Sequence, residues 1–341
     1  MAITRFRHRT LAVVGLAAAT ALALSGCTSG TSGADGASGD AAGDAKITVG
    51  ISQFVQHTAL DAAAEGFKQA FIDAGYVDGE TVVFDEKNAN AEVATATTIA
   101  QTFATDGADL VLAIATPSAQ AAAQNLADVP VVFTAVTDPV AADLVASVDK
   151  PGGNITGTSD MSPVADQIAL IQEIKPDAKK IGVVYGSGEV NSSVQVELAR
   201  AAAQKLGMEV VEATVTNASE LMQATESLGD VDAIYTPSDN LVASGIGAIV
   251  GVAEDKGILV VGSDSTHVEG GAAATVGIDY TKLGHQTGEM AVRILKDGED
   301  PATMAVETSK DTELTVNLGA AKRLGVELPA ELVDRAVNVI K

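Results

Sequence analysis

Short, almost wholly apolar segments alternate with helical segments along most of this sequence. The predicted strands of the first series are Ile47–Ile51, Thr81–Phe84, Leu110–Ala115 and Val129–Phe133. The helices predicted between them are Ala59–Ala74, Glu92–Ala104 and Ser118–Ala127. Apolar strands that are each followed by a helix indicate a parallel sheet covered on both faces. The sequence therefore predicts an α/β fold.

A second series of the same kind begins near residue 162. Its predicted strands are Lys180–Tyr185, Glu209–Ala213, Ala233–Thr236, Ile258–Gly262 and Ala273–Ile278. Its predicted helices are Val164–Ile174, Ser192–Leu206, Ser219–Leu228 and Asn240–Asp255. Each series has a Thr-Pro-Ser sequence where a strand ends, at 116–118 and 236–238. Proline stops a strand and presets a first helical turn, so Ser118 or Ser238 is predicted to cap a helix. The matched surroundings favour two similar lobes.

Polar side chains follow the predicted strands at the points where they end. In open parallel sheets ligands bind outside the carboxyl ends of the strands. If two lobes face each other, one cleft can collect Gln53, His57, Thr116, Ser118, Thr134, Thr137, Asp138, Asn191, Ser192, Asp239, Asn240, Asp264, Asp279 and Tyr280. The sequence therefore predicts a binding cleft between the lobes.

Composition and motifs exclude several other functions. A formal net charge of −24 argues against nucleic acid, whose phosphates require Lys and Arg. His8, His57, His267 and His285 lack the spacing of metal ligands. The sequence has no G-x-S-x-G elbow and no P-loop. Gly186 and Gly188 begin a dinucleotide-type turn, but Asn191 replaces its third glycine. We therefore expect no enzyme activity and no cofactor.

The remaining chemistry suits the binding of a zwitterion. Hydroxyl and helix-start N–H groups at Thr116 and Ser118 can hold a carboxylate. Asp239 or Asp264 can pair with an ammonium in a cleft poor in water. The sequence leaves open which aspartate does so. A less specific alternative is that Ser118 and Asn240 cap local helices while Asp264 is solvated in a turn.

The N-terminal residues have the pattern of an export signal. Arg5, Arg7 and Arg9 precede an apolar run that is too short to span a bilayer comfortably. The sequence Leu24–Cys27 resembles the bacterial lipobox, in which the cysteine is lipidated and becomes the new N-terminus. We therefore predict a signal peptide over 1–26 and a lipidated, flexible tether over 27–45, rich in Gly, Ser, Ala and Asp. An ordinary signal peptide that happens to contain a cysteine is the alternative.

Several longer motifs carry a resemblance to one family. They occur in order from about residue 46: QFVQHTALDAAAEGF, ATPSAQAAA, FTAVTDPVAADLV, PGGNITGTSDMSP, NSSVQ, IYTPSDNLVASG and GIDYTKLGHQTGEMA. Together with the lipobox, they resemble the substrate-binding lipoproteins of ABC transporters, of the tryptophan/tyrosine type. This resemblance implies the type I periplasmic-binding fold, in which two Rossmann-like lobes joined by three crossovers close on a ligand.

The resemblance also implies where the lobes divide. The N-terminal lobe would comprise 46–157 and 282–309, and the C-terminal lobe 158–281 and 310–341. The crossovers would fall near Gly157–Ser159, Asp279–Thr281 and Ser309–Thr312. The helix Leu283–Leu295 would then return to the first lobe, and the C-terminal stretch to the second.

The implied ligand is an amino acid, often an aromatic one, and the implied partner is an ABC permease. The family motifs would place at the ligand Gln53, His57, Thr116, Ser118, Thr137, Asp138, Asn191, Ser192, Asp239, Asn240, Asp264 and Asp279. Because the chain has no Trp, ring stacking is limited to a few positions such as Phe54, Phe133, Tyr185, Tyr235 and Tyr280. His57 is expected to grip or shape the ligand, with packing at the helix start as the alternative. We expect a monomer; a sensory binding protein, a sugar receptor and an α/β enzyme are the competing interpretations.

Overall fold

A computed structural model describes residues 46–309 and 311–341. The predicted signal peptide, Cys27 and the tether lie outside the described residues. The strands are β1 (Ile47–Gln53), β2 (Val82–Asn88), β3 (Leu110–Ile114), β4 (Val131–Val136), β5 (Ile155–Ser159), β6 (Lys180–Gly186), β7 (Glu209–Val215), β8 (Ala233–Thr236), β9 (Leu259–Gly262), β10 (Ala274–Gly277), β11 (Glu307–Thr308), β12 (Glu313–Asn317) and β13 (Asn338–Ile340).

The helices alternate with these strands over most of the chain. They are α1 (Thr58–Asp73), α2 (Val93–Asp106), α3 (Thr116–Asn125), α4 (Val164–Ile174), α5 (Val190–Lys205), α6 (Leu221–Ser227), α7 (Asn240–Ser244), α8 (Ile246–Lys256), α9 (Ser265–Glu269), α10 (Tyr280–Val292), α11 (Leu318–Arg323) and α12 (Ala330–Asp334). A short 3₁₀ turn covers Ala218–Glu220, and a π-helical turn covers Arg293–Asp297.

The strands form two separate sheets. The first has the order β11-β5-β4-β3-β1-β2, and its strand pairs are parallel. The second has the order β13-β12-β10-β9-β8-β6-β7, with β12 antiparallel to β10. We call each sheet, with the helices packed on it, the first lobe and the second lobe. The predicted α/β class is confirmed, and the two sheets are mostly parallel, as expected.

Each lobe has its own hydrophobic core. In the first lobe all five residues of β3 are buried, because helices cover both faces of the sheet. The apolar positions of α1 lie on one face, where Phe67 and Phe71 pack against Phe84 with ring centroids 6.5 and 5.5 Å apart. A second cluster, around Ile181, Val260 and Leu332, fills the second lobe.

Helix α10 follows the second lobe in sequence but packs against α1 of the first. Glycines permit this close approach: a Cβ atom at Gly66 would lie 2.0 Å from the Thr281 carbonyl oxygen, and one at Gly284 would lie 2.0 Å from that of Ala63. The two helix backbones are therefore in direct contact. This contact fixes Tyr280, at the start of α10, next to the first turn of α1.

The structure corrects three expectations. Residues Gly157–Ser159, expected in a crossover, belong to β5, since β-branched Ile155, Thr156 and Thr158 are buried beside β4; the crossover follows at 160–163. Neither Ser118 nor Ser238 caps a helix, because the N-caps are Ala115 for α3 and Asp239 for α7. The helix expected over Asn240–Asp255 is divided at Gly245, whose φ of −124° is not helical.

Within the described ranges, no helix has the length and apolar character needed to cross a membrane.

Candidate ligand-binding site

A small cavity lies where the two lobes meet. Its first-lobe wall consists of His57, Ala59, Leu60, Ala135 and Thr137, and its second-lobe wall of Asn191, Ser238, Asp239, Asn240, Ala243, Asp264 and His267. Asp160 and Tyr280, from two of the crossovers, complete it. The first wall is mostly apolar and the second mostly polar. Such a cavity suits a small amphiphilic molecule.

Hydrogen bonds link the lobes across the cavity. His57 Nε2 lies 3.5 Å from Asn240 Oδ1, and Gln195 Nε2 donates to Thr137 Oγ1 at 3.4 Å. The crossovers are also joined, because the Tyr280 hydroxyl donates to Asp160 Oδ2 at 2.8 Å. The described structure is therefore the closed arrangement of the lobes.

His57 is the N-cap residue of α1, with an extended φ of −159°. Burial removes water from its ring and lowers the pKa of His57 to about 4, with Asp264 and Asn240 opposing the shift. The imidazole is therefore neutral near neutral pH. Its Nδ1 atom is sealed from solvent and has no hydrogen-bond partner in the described part of the chain.

Asp264 is ionised although it is buried. Burial opposes its ionisation, but His267 and hydrogen bonds from Thr266 and Ser263 outweigh burial and hold the pKa of Asp264 below its ordinary value. Oδ1 accepts from the backbone N–H and the hydroxyl of Thr266 at 2.8 and 2.6 Å, and Oδ2 accepts from Ser263 Oγ at 3.0 Å. A carboxylate oxygen has two lone pairs, so Oδ2 can accept a further bond from a ligand.

Asp239 is engaged inside the second lobe. It accepts from Gly186 N at 2.6 Å, from Ser192 Oγ at 2.6 Å and from Val242 N at 2.8 Å. Burial raises the pKa of Asp239. Asp239 therefore fixes the β6–α5 turn and the start of α7, and it is a weaker candidate for an ammonium partner than Asp264.

Asp160 lines the cavity and was not predicted from the sequence. Burial raises its pKa to about 6, against hydrogen bonds from Tyr280 and Thr137. It follows β5, a strand that was not predicted from the sequence. A carboxylate directly after a run of β-branched residues is the signal that could have identified it.

Glu189 lies behind the second-lobe wall and was also missed. Its Oε2 accepts from Asn191 Nδ2 at 3.0 Å, from Asn240 Nδ2 at 2.5 Å and from Asn240 N at 3.3 Å. Burial, and then the neighbouring Asp239, raise the pKa of Glu189 well above its usual range. Glu189 therefore orients two asparagines that line the cavity.

His267 has a ring atom at the cavity. Its Nδ1 is 2.8 Å from Thr236 Oγ1, and its Nε2 is 3.8 Å from Asp264 Oδ2. Asp264 is the N-cap residue of α9, and His267 lies in that helix one turn further along. This spacing of three residues is visible in the sequence.

The cavity brings together six of the predicted site residues: His57, Thr137, Asn191, Asp239, Asn240 and Asp264. The other six have different positions. Ser192 bonds to Asp239, while Thr116 and Ser118 are buried in the first turn of α3, where Ser118 Oγ is 3.5 Å from Ser52 Oγ.

The last three predicted residues serve local structure. Gln53 donates to Asp61 Oδ1 at 2.7 Å. Asp138 accepts from the N–H groups of residues 140 and 141 at 3.0 and 2.9 Å, and Asp279 caps α10. Of the aromatic residues considered for stacking, Tyr280 lines the cavity, whereas Phe54, Phe133 and Tyr235 are buried in the cores and Tyr185 bonds to Glu212.

In the described residues, no group of three or more His, Cys, Asp or Glu side chains is placed to hold a metal ion. The cavity offers hydrogen-bond acceptors and an apolar wall. Two α/β lobes, each built on a mostly parallel sheet, that close over such a cavity are typical of a solute-binding protein.

Comparison with known proteins gives the family. The chain belongs to the ABC transporter substrate binding protein family, whose model matches residues 48–340. The function of this family is binding rather than catalysis, and its members act outside the cytoplasm. The predicted family and the type I periplasmic-binding architecture are confirmed.

Three relatives are particularly similar. The "Tyrosine-binding protein" of Clostridioides difficile is 43% identical over 280 residues, or 82% of this chain and 81% of that protein. An ABC domain from Streptococcus pneumonia in complex with L-Trp is 36% identical, with a TM-score of 0.83, and covers 87% of this chain and 100% of that one. A ligand-free, open substrate-binding protein with adhesive properties from Clostridium difficile is 44% identical, with a TM-score of 0.66. The match covers 86% of this chain and 99% of that one.

The TM-scores rank the two solved structures in the opposite order to their identities. The complex with L-Trp is less similar in sequence but more similar in overall shape than the open structure. This agrees with the hydrogen bonds that join the lobes here, and with a closed arrangement.

Proposed function

We propose that this chain is a lipid-anchored receptor that binds an amino acid, an aromatic one in particular, and delivers it to an ABC permease. The observation that carries the proposal is the cavity itself, in which an ionised, buried Asp264 faces an apolar wall of Ala59, Leu60 and Ala135.

The ammonium group fits the second-lobe wall. Asp264 is ionised, and its Oδ2, which accepts one hydrogen bond from Ser263, has a second lone pair that can accept another. A buried, charge-assisted hydrogen bond of this kind is stronger than one between neutral groups. Asp160 is a second carboxylate of the cavity, and its raised pKa makes it the weaker partner.

The carboxylate group fits the start of α1. This helix has 16 residues, its first turn lines the cavity, and within residues 46–309 and 311–341 no side chain caps it. Unpaired N–H groups and the helix dipole at such an end favour an anion. We therefore propose that the start of α1 binds the ligand carboxylate. Thr116 and Ser118, which were expected to do so, do not line the cavity.

The side chain of the ligand fits the apolar first-lobe wall. Leu60, Ala59 and Ala135 offer small apolar groups there, and Tyr280 offers a ring. The names of the relatives support an aromatic ligand, since one is called tyrosine-binding and another was solved with L-Trp.

The proposed anchor is a lipid on Cys27, supported by the Leu24–Cys27 motif behind a basic, apolar leader. Substitution Cys27→Ser removes the thiol that would carry the lipid. We expect this variant to leave the membrane fraction or to stay unprocessed. A processed variant that remains in the membrane fraction would contradict the anchor and leave the ligand proposal intact.

A thermal-shift screen of the purified protein tests the ligand class. The screen compares the amino acids with sugars and polyols of similar size. A ligand at about 100 times its dissociation constant adds about 2.7 kcal/mol to the free energy of unfolding. We expect stabilisation by aromatic amino acids. Stabilisation by sugars alone would refute the amino-acid proposal.

A further inference from the structure

Four buried side chains form a continuous chain of hydrogen bonds from the second lobe to two of the crossovers. Gln195 Nε2, on α5 of the second lobe, donates to Thr137 Oγ1 of the first lobe at 3.4 Å. Thr137 Oγ1 in turn donates to Asp160 Oδ1 at 3.0 Å, and the Tyr280 hydroxyl donates to Asp160 Oδ2 at 2.8 Å. We call these four residues the closure chain, because Gln195 and Thr137 meet only when the lobes are together.

The direction of the closure chain is fixed at Gln195. Its Oε1 accepts from the backbone N–H of Ser238 at 3.0 Å, and a backbone N–H can only donate. The amide therefore turns its oxygen to Ser238 and its NH₂ group to Thr137. Because the Thr137 hydroxyl accepts from Gln195, its single proton is available for Asp160.

The direction is also fixed at Tyr280. Burial, together with the nearby Asp160 and Asp264, raises the pKa of Tyr280 well above its ordinary value. The phenol therefore keeps its proton and can donate it to Asp160. Both branches of the closure chain thus end on the carboxyl group of Asp160, which must accept at both oxygens.

Only the ionised form of Asp160 meets this requirement. An ionised carboxylate accepts at both oxygens, whereas a neutral carboxyl group carries a proton on one oxygen and donates from it. Protonation of Asp160 therefore forces either Thr137 or Tyr280 to turn its O–H group away. If Thr137 turns, its hydroxyl proton must compete with the N–H of Gln195, and the link between the lobes is lost.

The groups around Asp160 oppose its ionisation. Burial raises the pKa of Asp160 to about 6, against the hydrogen bonds from Tyr280 and Thr137, and the negative charge of Asp264 adds to the rise. Both carboxyl groups line the cavity. A positive charge between them would favour the ionised form of Asp160. The other titratable groups that line the cavity are His57 at the start of α1, Asp239 at the start of α7, His267 in α9 and Tyr280 at the start of α10.

We propose that Asp160 couples the charge of the ligand to closure of the lobes: the ligand ammonium drives the proton of Asp160 into the solvent, and the resulting carboxylate completes the closure chain. The inference rests on the proposed function, because it assumes an ammonium group in the cavity. Asp160 is then a positioning residue, which acts on closure through Thr137 and Tyr280, while Asp264 remains the main partner of the ammonium.

The dependence of ligand affinity on pH follows from this coupling. Binding that releases a proton becomes weaker as the pH falls through the pKa of the group that loses it. For wild-type protein, the dissociation constant of L-tyrosine should therefore be about tenfold larger at about pH 5 than at about pH 7.5, since the pKa of Asp160 is about 6.

Calorimetric titration of L-tyrosine at both pH values, with wild type and with Asp160→Asn, tests the coupling. Asparagine has no proton to release, so the ratio of the two dissociation constants should fall about tenfold in the variant. The other titratable groups of the cavity are present in both proteins and contribute alike. Asp166→Asn, in the exposed first turn of α4, is the control and should keep the wild-type ratio.

An equal ratio in wild type and Asp160→Asn would overturn the inference and leave the proposed function standing. Failure of both L-tyrosine and L-tryptophan to bind wild-type protein at either pH would overturn the proposed function instead.

Infrared difference spectroscopy of the wild-type protein provides a readout that needs no variant. At about pH 5.5, addition of L-tyrosine should remove the C=O absorption of a protonated carboxyl group and add that of a carboxylate. Histidine rings do not absorb as carboxyl groups, so they cannot produce this change. Absence of the change in wild type, or its persistence in Asp160→Asn, would overturn the inference.

The variant Thr137→Val tests the link between Asp160 and closure. Valine keeps the shape of threonine but can neither accept from Gln195 nor donate to Asp160. With saturating L-tyrosine, small-angle X-ray scattering should show a larger radius of gyration for this variant than for wild type. An identical decrease in radius on ligand binding in the two proteins would overturn the role of the closure chain.

Discussion

His57 Nε2, at the start of α1 in the first lobe, lies 3.5 Å from Asn240 Oδ1, at the start of α7 in the second lobe. The two residues are 183 positions apart in sequence, and Glu189 holds the asparagine in place from behind. This contact exists when the lobes are closed, so its strength biases the equilibrium between open and closed forms.

Replacing Asn240 by Ala should therefore weaken ligand binding by about fivefold, which corresponds to the loss of about one hydrogen bond. The closed form should also become less populated, and the radius of gyration of the liganded protein, measured by small-angle X-ray scattering, should increase. Ser244→Ala, at the other end of α7, is the matched control. Unchanged affinity and an unchanged radius would show that this contact does not stabilise closure.

Asp264→Asn should leave the fold intact and weaken amino-acid binding by about 30-fold or more. Removing one partner of a buried charge pair typically costs about 2–5 kcal/mol. Asp279→Asn is the control, because Asp279 also caps a helix but does not line the cavity. Calorimetry should show a large loss for the first variant and little change for the second. If both bind like the wild type, the ammonium lies elsewhere.

Glu189→Gln should stabilise the protein relative to wild type as the pH rises. Burial and Asp239 raise the pKa of Glu189 in the folded protein, so between its unfolded and folded pKa values the folded state binds more protons. Wild-type stability from this group is therefore present below pH 4.5, its ordinary pKa, and is lost as the pH rises. Glutamine keeps the accepting oxygen and has no proton to lose.

Urea unfolding of both proteins at about pH 5 and about pH 8 measures this effect. From pH 5 to pH 8, the free energy of unfolding of the variant should rise by at least about 1 kcal/mol relative to that of the wild type. The reason is that one pKa unit corresponds to about 1.36 kcal/mol. His57, whose lowered pKa has the opposite effect, is present in both proteins and cancels in the difference. A difference in stability that does not vary with pH would mean that Glu189 is ionised in the fold.

Gly284→Ala should destabilise the first lobe by about 3 kcal/mol, because its Cβ would lie 2.0 Å from the Ala63 carbonyl oxygen and α1 and α10 would have to separate. Gly251→Ala is the control: it lies in α8 with no atom within 4 Å of the added Cβ. That change should stabilise by up to about 1 kcal/mol through helix propensity. Equal melting temperatures for the two variants would show that the α1–α10 contact is not tight.

The fold could be predicted from the sequence because burial of strands produces continuous apolar runs. The expected strand over Leu110–Ala115 and the helix over Val164–Ile174 match the structure closely. The prediction failed where polar β-branched residues form a strand, as in β5, because Thr156 and Thr158 are buried through hydrogen bonds that only the tertiary structure supplies.

The site was predictable in part. The rule that ligands bind at the carboxyl ends of strands identified His57, Asn191 and Asp264, which line the cavity. It could not distinguish them from Gln53 or Asp138, whose partners are local. Glu189 was not predictable, since it does not line the cavity and only orients Asn191 and Asn240, which do.

The binding of L-tyrosine, compared with two analogues that each lack one half of the zwitterion, tests the central claim most directly. Tyramine lacks the carboxylate, and 3-(4-hydroxyphenyl)propionate lacks the ammonium. If Asp264 pairs with the ammonium and the start of α1 with the carboxylate, both analogues should bind at least about 30-fold more weakly than tyrosine in calorimetric titration, and the propionate should suffer the greater loss. Binding of the propionate as tightly as tyrosine would contradict the account.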